Sequence, residues 1–134
     1  MIEAVIFDFD DTLADTTPAL VEAKLFIAAF LEKKHSLSRN VFIPLFDETE
    51  KKYSSPLNAT PQSNDRAVWL RHIFSKLHIT ADPRAITNLY WKQVTKHSQL
   101  FPGTLKTLKK INEHTKLGLL SDSDGLKRYK IERL

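Results

Sequence analysis

The apolar run Ala4-Val5-Ile6-Phe7 passes directly into Asp8-Phe9-Asp10-Asp11-Thr12-Leu13. Four consecutive apolar residues closing on an acidic pair describe a short core strand that ends at a polar edge. A strand alternates its side chains between two faces, so the pattern predicts Asp8 and Asp10 on one face and Phe7 and Phe9 on the other. Like charges held that close repel and raise one pKa unless a cation lies between them, and such oxygen donors suit a hard ion such as Mg²⁺. The arrangement fits phosphoryl chemistry, with one Asp as nucleophile and the other as proton donor and acceptor. The competing reading is a polar turn that closes the strand, with Asp or Thr capping the next helix. D-x-D-x-T-L placed directly after four apolar residues is more specified than a turn requires.

The middle of the chain has helical spacing. From Pro18, a favourable first-turn residue, to Lys34, the residues Leu20, Ala23, Ile27, Phe30 and Leu31 fall on one stripe. Residues 65–77 repeat it with Leu70, Ile73, Phe74 and Leu77. Residues 82–97 do so with Ile86, Leu89, Tyr90 and Val94, and Asp82-Pro83 marks their start. Residues 40–53 form a further candidate helix whose start Pro44 disfavours. Between them, residues 54–64 hold Pro56 and Pro61 among Ser, Asn and Thr, a loop composition. The stripes describe the core of a small helical bundle. Arg66, Arg71, Arg84 and Lys92 read as surface charge, and His35, His72, His78, His97 and His114 show no ligand spacing. Asp122-Ser123-Asp124-Gly125 is similar to part of a calcium loop, but Ile131 stands where the closing Glu belongs, so a turn and helix start is the better reading.

The run from Phe7 to Leu13 resembles the first signature motif, D-x-D-x-T, of the haloacid dehalogenase-like (HAD) phosphohydrolases. Leu117-Gly118-Leu119-Leu120-Ser121-Asp122 looks like that family's second motif, an apolar strand ending in Ser or Thr. Phe101-Pro102-Gly103 followed by Leu105, Leu108 and Ile111 is similar to the segment that leads into it. The resemblance implies an α/β fold: a partial Rossmann-like (HAD-like) parallel sheet with an inserted all-helical cap. Residues 1–14 and 101–134 would be the core, incomplete at the carboxyl terminus, and residues 15–100 the cap over a catalytic crevice.

The same resemblance implies roles. Asp8 would attack phosphorus and form an aspartyl-phosphate, while Asp10 would protonate the leaving oxygen and then activate water. Ser121 and the Asp122 backbone N–H would hold the phosphoryl oxygens. Mg²⁺ would sit on the Asp8 carboxylate and the Asp10 carbonyl. Asp11 stands where many members have Gly. The family's third motif, a Lys, and its fourth, a later acidic pair, find no match before Leu134; Lys127 and Lys130 read as a solvated helix face.

Size points the same way. Taking residues 15–100 as an insertion leaves the chemistry on fewer than the ~60 residues at which a domain buries enough surface to be comfortable. The sequence has no cysteine, so no disulfide can help. Only residues 2–9 and 116–121 read as core strands, and strands linked through helices run parallel. A two-stranded parallel remnant exposes its edges. The expectation is an amino-terminal portion of a phosphohydrolase, rescued by self-association or by a complementing carboxyl-terminal piece.

Composition bounds the rest. With 42% hydrophobic and 27% charged residues the chain is a globular protein. Nothing approaches ~18 consecutive apolar residues and no basic stretch precedes an apolar segment, so neither a membrane span nor a signal peptide is expected. The absence of cysteine fits the cytoplasm. The net charge of +4 is spread over separate pairs such as Lys33-Lys34, Lys51-Lys52 and Lys109-Lys110, so no nucleic-acid partner is expected. The expected partner is a small phosphorylated metabolite. Two functions of different class follow: a Mg²⁺-dependent phosphatase, or a non-catalytic truncated product serving as a binding or structural module.

Overall fold

A computed structural model describes residues 2–55, 63–121 and 131–134. The fold is α/β, with the order β1 (Ala4–Phe7), β2 (Ala14–Asp15), α1 (Thr17–His35), α2 (Arg39–Tyr53), α3 (Arg66–Leu77), α4 (Pro83–His97), β3 (Gln99–Leu100), α5 (Thr104–Asn112) and β4 (Lys116–Leu119). The chain divides into two compact units, residues 1–20 with 94–134 and residues 21–93, whose boundaries fall within α1 and α4. Among the described residues no helix is long and apolar enough to cross a membrane.

In the first unit β1 and β4 pair in parallel, Ala4 opposite Lys116 through Phe7 opposite Leu119. The ladder extends at both ends, with Lys116 N–H donating to Glu3 C=O at 3.0 Å and Leu120 N–H to Phe7 C=O at 2.9 Å. Partners in a parallel register share a face, so Val5, Phe7, Leu117 and Leu119 form one side of the sheet and Ile6 and Gly118 belong to the other. A methyl added at Gly118 would lie 3.4 Å from the Ile6 side chain, as that pairing requires. A separate antiparallel ribbon joins β2 to β3. Neither two-residue strand is long enough to carry a period, so sequence reading left it out.

This unit has little core. Among its described residues the buried apolar side chains are Phe9, Ala14, Ala19 and Val94, none of them from β1, β4 or α5. Ile6 is 67% exposed and Leu120 74%, with Ile2, Leu105 and Leu119 also open to solvent. Parallel sheets are ordinarily covered on both faces.

The second unit carries its own core. The predicted stripes bury Ala23, Ile27 and Leu31 on α1, Leu70, Ile73 and Phe74 on α3, and Ile86 and Tyr90 on α4. Each helix starts as its sequence dictates. Ser38 accepts from the Asn40 N–H ahead of α2, Asp65 from the Ala67 N–H ahead of α3 at 2.8 Å, and Asp82 from the Arg84 N–H at 2.9 Å. α2 forms around Pro44, which costs a hydrogen bond inside the helix but leaves Phe42, Leu45 and Phe46 on its buried side. Phe46 meets Phe42, Trp69 and Tyr90, with ring centroids 5.6, 5.7 and 6.1 Å apart. Lys24 on α1 reaches Asp47 on α2 at 2.6 Å.

Arg66 corrects the sequence reading. It is buried, not a surface charge, with its guanidinium 3.9 Å from the Trp69 ring centre and 5.3 Å from that of Trp91. Glu50 lies 3.7 Å away as counter-ion and Asn64 C=O accepts from Nη1 at 3.2 Å, while the buried Nε has no partner. Burial pushes the neighbouring Tyr90 hydroxyl up to about 12, against the lowering effect of the Arg66 charge.

Candidate active site

The carboxyl ends of two parallel strands lie at the same edge of their sheet, where ligands of open α/β sheets gather. Here that edge is built by the residues that follow β1 and β4. Asp8, Asp10, Leu120 and Ser121 line one cleft of about 470 Å³. The structure thus brings together three of the four residues singled out in the sequence. The fourth, Asp122, lies outside the described residues, as do Lys127, Lys130 and the turn at 123–125.

The geometry after β1 differs from the simple alternation expected of a longer strand. β1 ends at Phe7, and the chain then folds back on itself: Phe9 C=O accepts the N–H groups of Leu13 at 2.9 Å and Ala14 at 3.0 Å, and Asp11 N–H donates to Ala14 C=O at 2.7 Å. The buried Phe9 anchors this turn. Asp10 therefore reaches the cleft from a folded loop, not from the strand. Asp8 is exposed and its Oδ1 accepts from the Phe9 N–H at 2.7 Å. Asp10 is half-buried, and its Oδ1 accepts from the hydroxyl of the buried Thr16 at 2.7 Å.

Asp11 turns away from this pair and caps α1. Its Oδ1 accepts from the N–H groups of Thr16 and Thr17 at 3.0 Å each, and its Oδ2 from the Thr17 hydroxyl at 2.7 Å. Desolvation raises the Asp11 carboxyl and so does the Asp10 charge, but the three hydrogen bonds outweigh both and hold it below the usual carboxylate value. The helix cap expected of the competing turn reading is thus present, on a different carboxylate from the two that line the cleft. Sequence reading missed Thr16. The signal was Thr16-Thr17-Pro18, hydroxyl residues directly before a helix-starting proline.

A model of the haloacid dehalogenase-like hydrolases matches residues 5–130. The chain belongs to that family. Solved structures of the family share its fold. A HAD-hydrolase of Bacillus subtilis crystallised with magnesium superposes with a TM-score of 0.67 at 16% identity, over 98% of this chain and 57% of that one. A HAD phosphatase of Thermococcus onnurineus gives 0.64 at 17% identity, over 98% and 56%. A 2-haloacid dehalogenase of Pseudomonas syringae pv. Tomato gives 0.59 at 23%, over 96% and 59%. The chain therefore spans little more than half the length of these structures. A comparison with curated proteins returns no match.

The family resemblance implies a Mg²⁺ ion, and the donor set can be tested for fit. Magnesium is commonly held by one or two carboxylates, with water and substrate phosphate completing its octahedron. Asp8 and Asp10 line one cleft, so the Asp8 carboxylate with the Asp10 backbone carbonyl would meet that need without drawing on the Asp10 carboxyl. Among the described residues no group of three or more His, Cys, Asp or Glu side chains gathers for a metal. The fit is that of a shared site, completed by water and substrate.

Proposed function

We propose that this chain carries the nucleophile and the proton-transfer group of a hydrolase of phosphate monoesters of small metabolites. The supporting observation is the shared cleft of Asp8, Asp10 and Ser121 at the carboxyl edge of the parallel sheet. The exposed Asp8 carboxylate attacks phosphorus, forming an aspartyl-phosphate while the bond to the ester oxygen breaks. Asp10 delivers its proton to that oxygen, and the alcohol leaves. Asp10, now a carboxylate, takes a proton from water as the water oxygen attacks the aspartyl-phosphate, which returns Asp8 and inorganic phosphate. The Ser121 hydroxyl donates to a phosphoryl oxygen, and Thr16 holds Asp10 in its orientation. A Mg²⁺ ion on the Asp8 carboxylate and the Asp10 backbone carbonyl would neutralise the charge of phosphate and nucleophile as they approach.

Within this reading, residues 15–100 are a helical cap that admits substrate and excludes water. The exposed face of the sheet at Ile6 is the surface for self-association or for a complementing segment. The cysteine-free sequence suits a cytoplasmic setting.

A second reading rests on packing: residues 21–93 hold most of the buried apolar side chains, so the helical unit is equipped to act as a non-catalytic module. Hydrolysis of p-nitrophenyl phosphate, with and without Mg²⁺, by wild type and Asp8→Asn separates the two. The enzyme reading expects turnover that needs the metal and falls by ~10³-fold or more without the nucleophile. Equal rates for the two proteins would overturn it.

A further inference from the structure

Asp11 has its backbone in the left-handed region, with φ of 54°. Glycine adopts that conformation without strain, whereas a residue with a Cβ does so at a cost that Asn and Asp bear best. What the side chain contributes must offset that cost. Here that is a carboxylate with three donors: the Thr16 N–H, the Thr17 N–H and the Thr17 hydroxyl. The same Thr16 whose N–H is held by Asp11 sends its hydroxyl to Asp10 at 2.7 Å. Asp11 thereby closes a ring from residue 10 to residue 17. The turn bonds through Phe9 C=O and Ala14 C=O hold one side of it, and the carboxylate at the positive end of α1 holds the other.

We propose that Asp11 is a positioning residue that acts on Asp10 through Thr16, fixing the orientation of the proton-transferring carboxylate before substrate arrives. The inference rests on the reading of Asp10 given above, but its physical content, the coupling of residue 11 to residue 10, is independent of turnover. One side chain then serves as helix cap and carboxylate orienter.

Three variants separate hydrogen bonding from backbone conformation. Asp11→Gly relieves the left-handed strain and removes the acceptor. Asp11→Asn keeps a side-chain oxygen for the backbone N–H groups and tolerates the same conformation. Asp11→Ala removes the acceptor and keeps the strain. The readouts are the amide exchange rates of Thr16 and Thr17 and the ¹³C resonance of the Asp10 carboxyl, measured in the intact chain by NMR, with p-nitrophenyl phosphate hydrolysis alongside. Asp11→Gly should speed exchange at both amides about tenfold or more, the scale of a lost hydrogen bond to a charged group. It should also move the Asp10 resonance, and Asp11→Asn should restore both toward wild type. In an active protein the loss should fall on kcat and leave KM nearly unchanged.

If Asp11→Gly matches wild type at Thr16 and Thr17, or frees those amides with the Asp10 resonance unmoved, the coupling does not exist and the proposal fails. If Asp11→Asn behaves as Asp11→Gly does, the acceptor argument fails with it. Spectra that change as expected in a protein without turnover uphold the positioning role and count against the phosphatase reading alone.

Discussion

The open sheet face that carries Ile6 has a measurable consequence. Full burial of an isoleucine side chain is worth roughly 1.5–3 kcal/mol, and Ile6 leaves 67% of its surface in water. About a third of that value is thus realised inside the chain and two thirds is available to whatever covers the sheet. Replacing Ile6 by Lys should cost the folded chain only about 1 kcal/mol, lost packing and β propensity together. Association is a different matter. A two-fold contact buries the same residue from both copies, so the variant forfeits about 2–4 kcal/mol of dimer stability, a shift of roughly 30- to 1,000-fold in the dissociation constant. Sedimentation over a wide concentration range measures the second quantity and urea unfolding followed by circular dichroism the first. Wild type should grow in mass with concentration, and Ile6→Lys should remain a monomer with nearly the same urea midpoint. Two results would refute the reasoning: unchanged association in the variant, or a stability loss above ~3 kcal/mol, which would make Ile6 a core residue of the chain itself.

Two further outcomes follow from single side chains. Thr16→Val keeps the shape of a residue only 3% exposed but removes the hydroxyl on Asp10; a hydrogen bond to a charged group is worth about 1.5–3 kcal/mol, so kcat of an active protein should fall roughly 10- to 100-fold with KM little changed, as initial rates would show. Tyr90 is held neutral by burial with its hydroxyl pushed up to about 12, so its contribution to stability is whole below the unfolded value of 10.0 and is lost as pH rises from there through the folded one. The difference of about two units corresponds to about 3 kcal/mol, and Tyr90→Phe should flatten the alkaline fall in melting temperature over that range.

How far the fold could be read in advance depended on whether the signal was local. β1 and β4 were legible because an apolar run leads into each motif and a helix-filled gap between them dictates a parallel pair; the burial such runs ordinarily signal is not found, since Ile6, Leu117 and Leu119 are exposed. The helices were legible through apolar spacing, and Asp65 and Asp82-Pro83 marked starts that agree with the observed caps. The candidate helix at 40–53 forms in spite of Pro44 because propensity is a weak prior: α2 has Phe42, Leu45 and Phe46 to bury, and tertiary burial outweighs one lost bond. Arg66 misled. Nothing in a sequence reveals that Trp69 and Trp91 will close over a guanidinium. At the candidate site, Asp8, Asp10 and Ser121 were found by their motifs. An Asp or Thr cap was expected only in general terms; that Asp11 supplies it and that the Thr16 hydroxyl reaches Asp10 depend on a chain reversal at Phe9 that no period encodes.

Chemistry and cohesion therefore reside in different stretches of this sequence. The stretch that holds Asp8, Asp10 and Ser121 buries only Phe9, Ala14, Ala19 and Val94 among its described apolar residues, whereas residues 21–93 carry an aromatic core around Trp69 and Phe46. Stability scales with buried apolar area, so a global melt of this chain reports chiefly on the helical unit. The candidate site is held mainly by hydrogen bonds: the Phe9 turn, the Asp11 cap, the Thr16 hydroxyl and the short parallel ladder. Each such bond contributes only about 1 kcal/mol net. A site held in this way opens locally at a free energy well below that of the helical core. Any ligand or partner that binds the sheet edge or the cleft should consequently raise protection at residues 4–17 and 116–121 long before it moves the melting temperature.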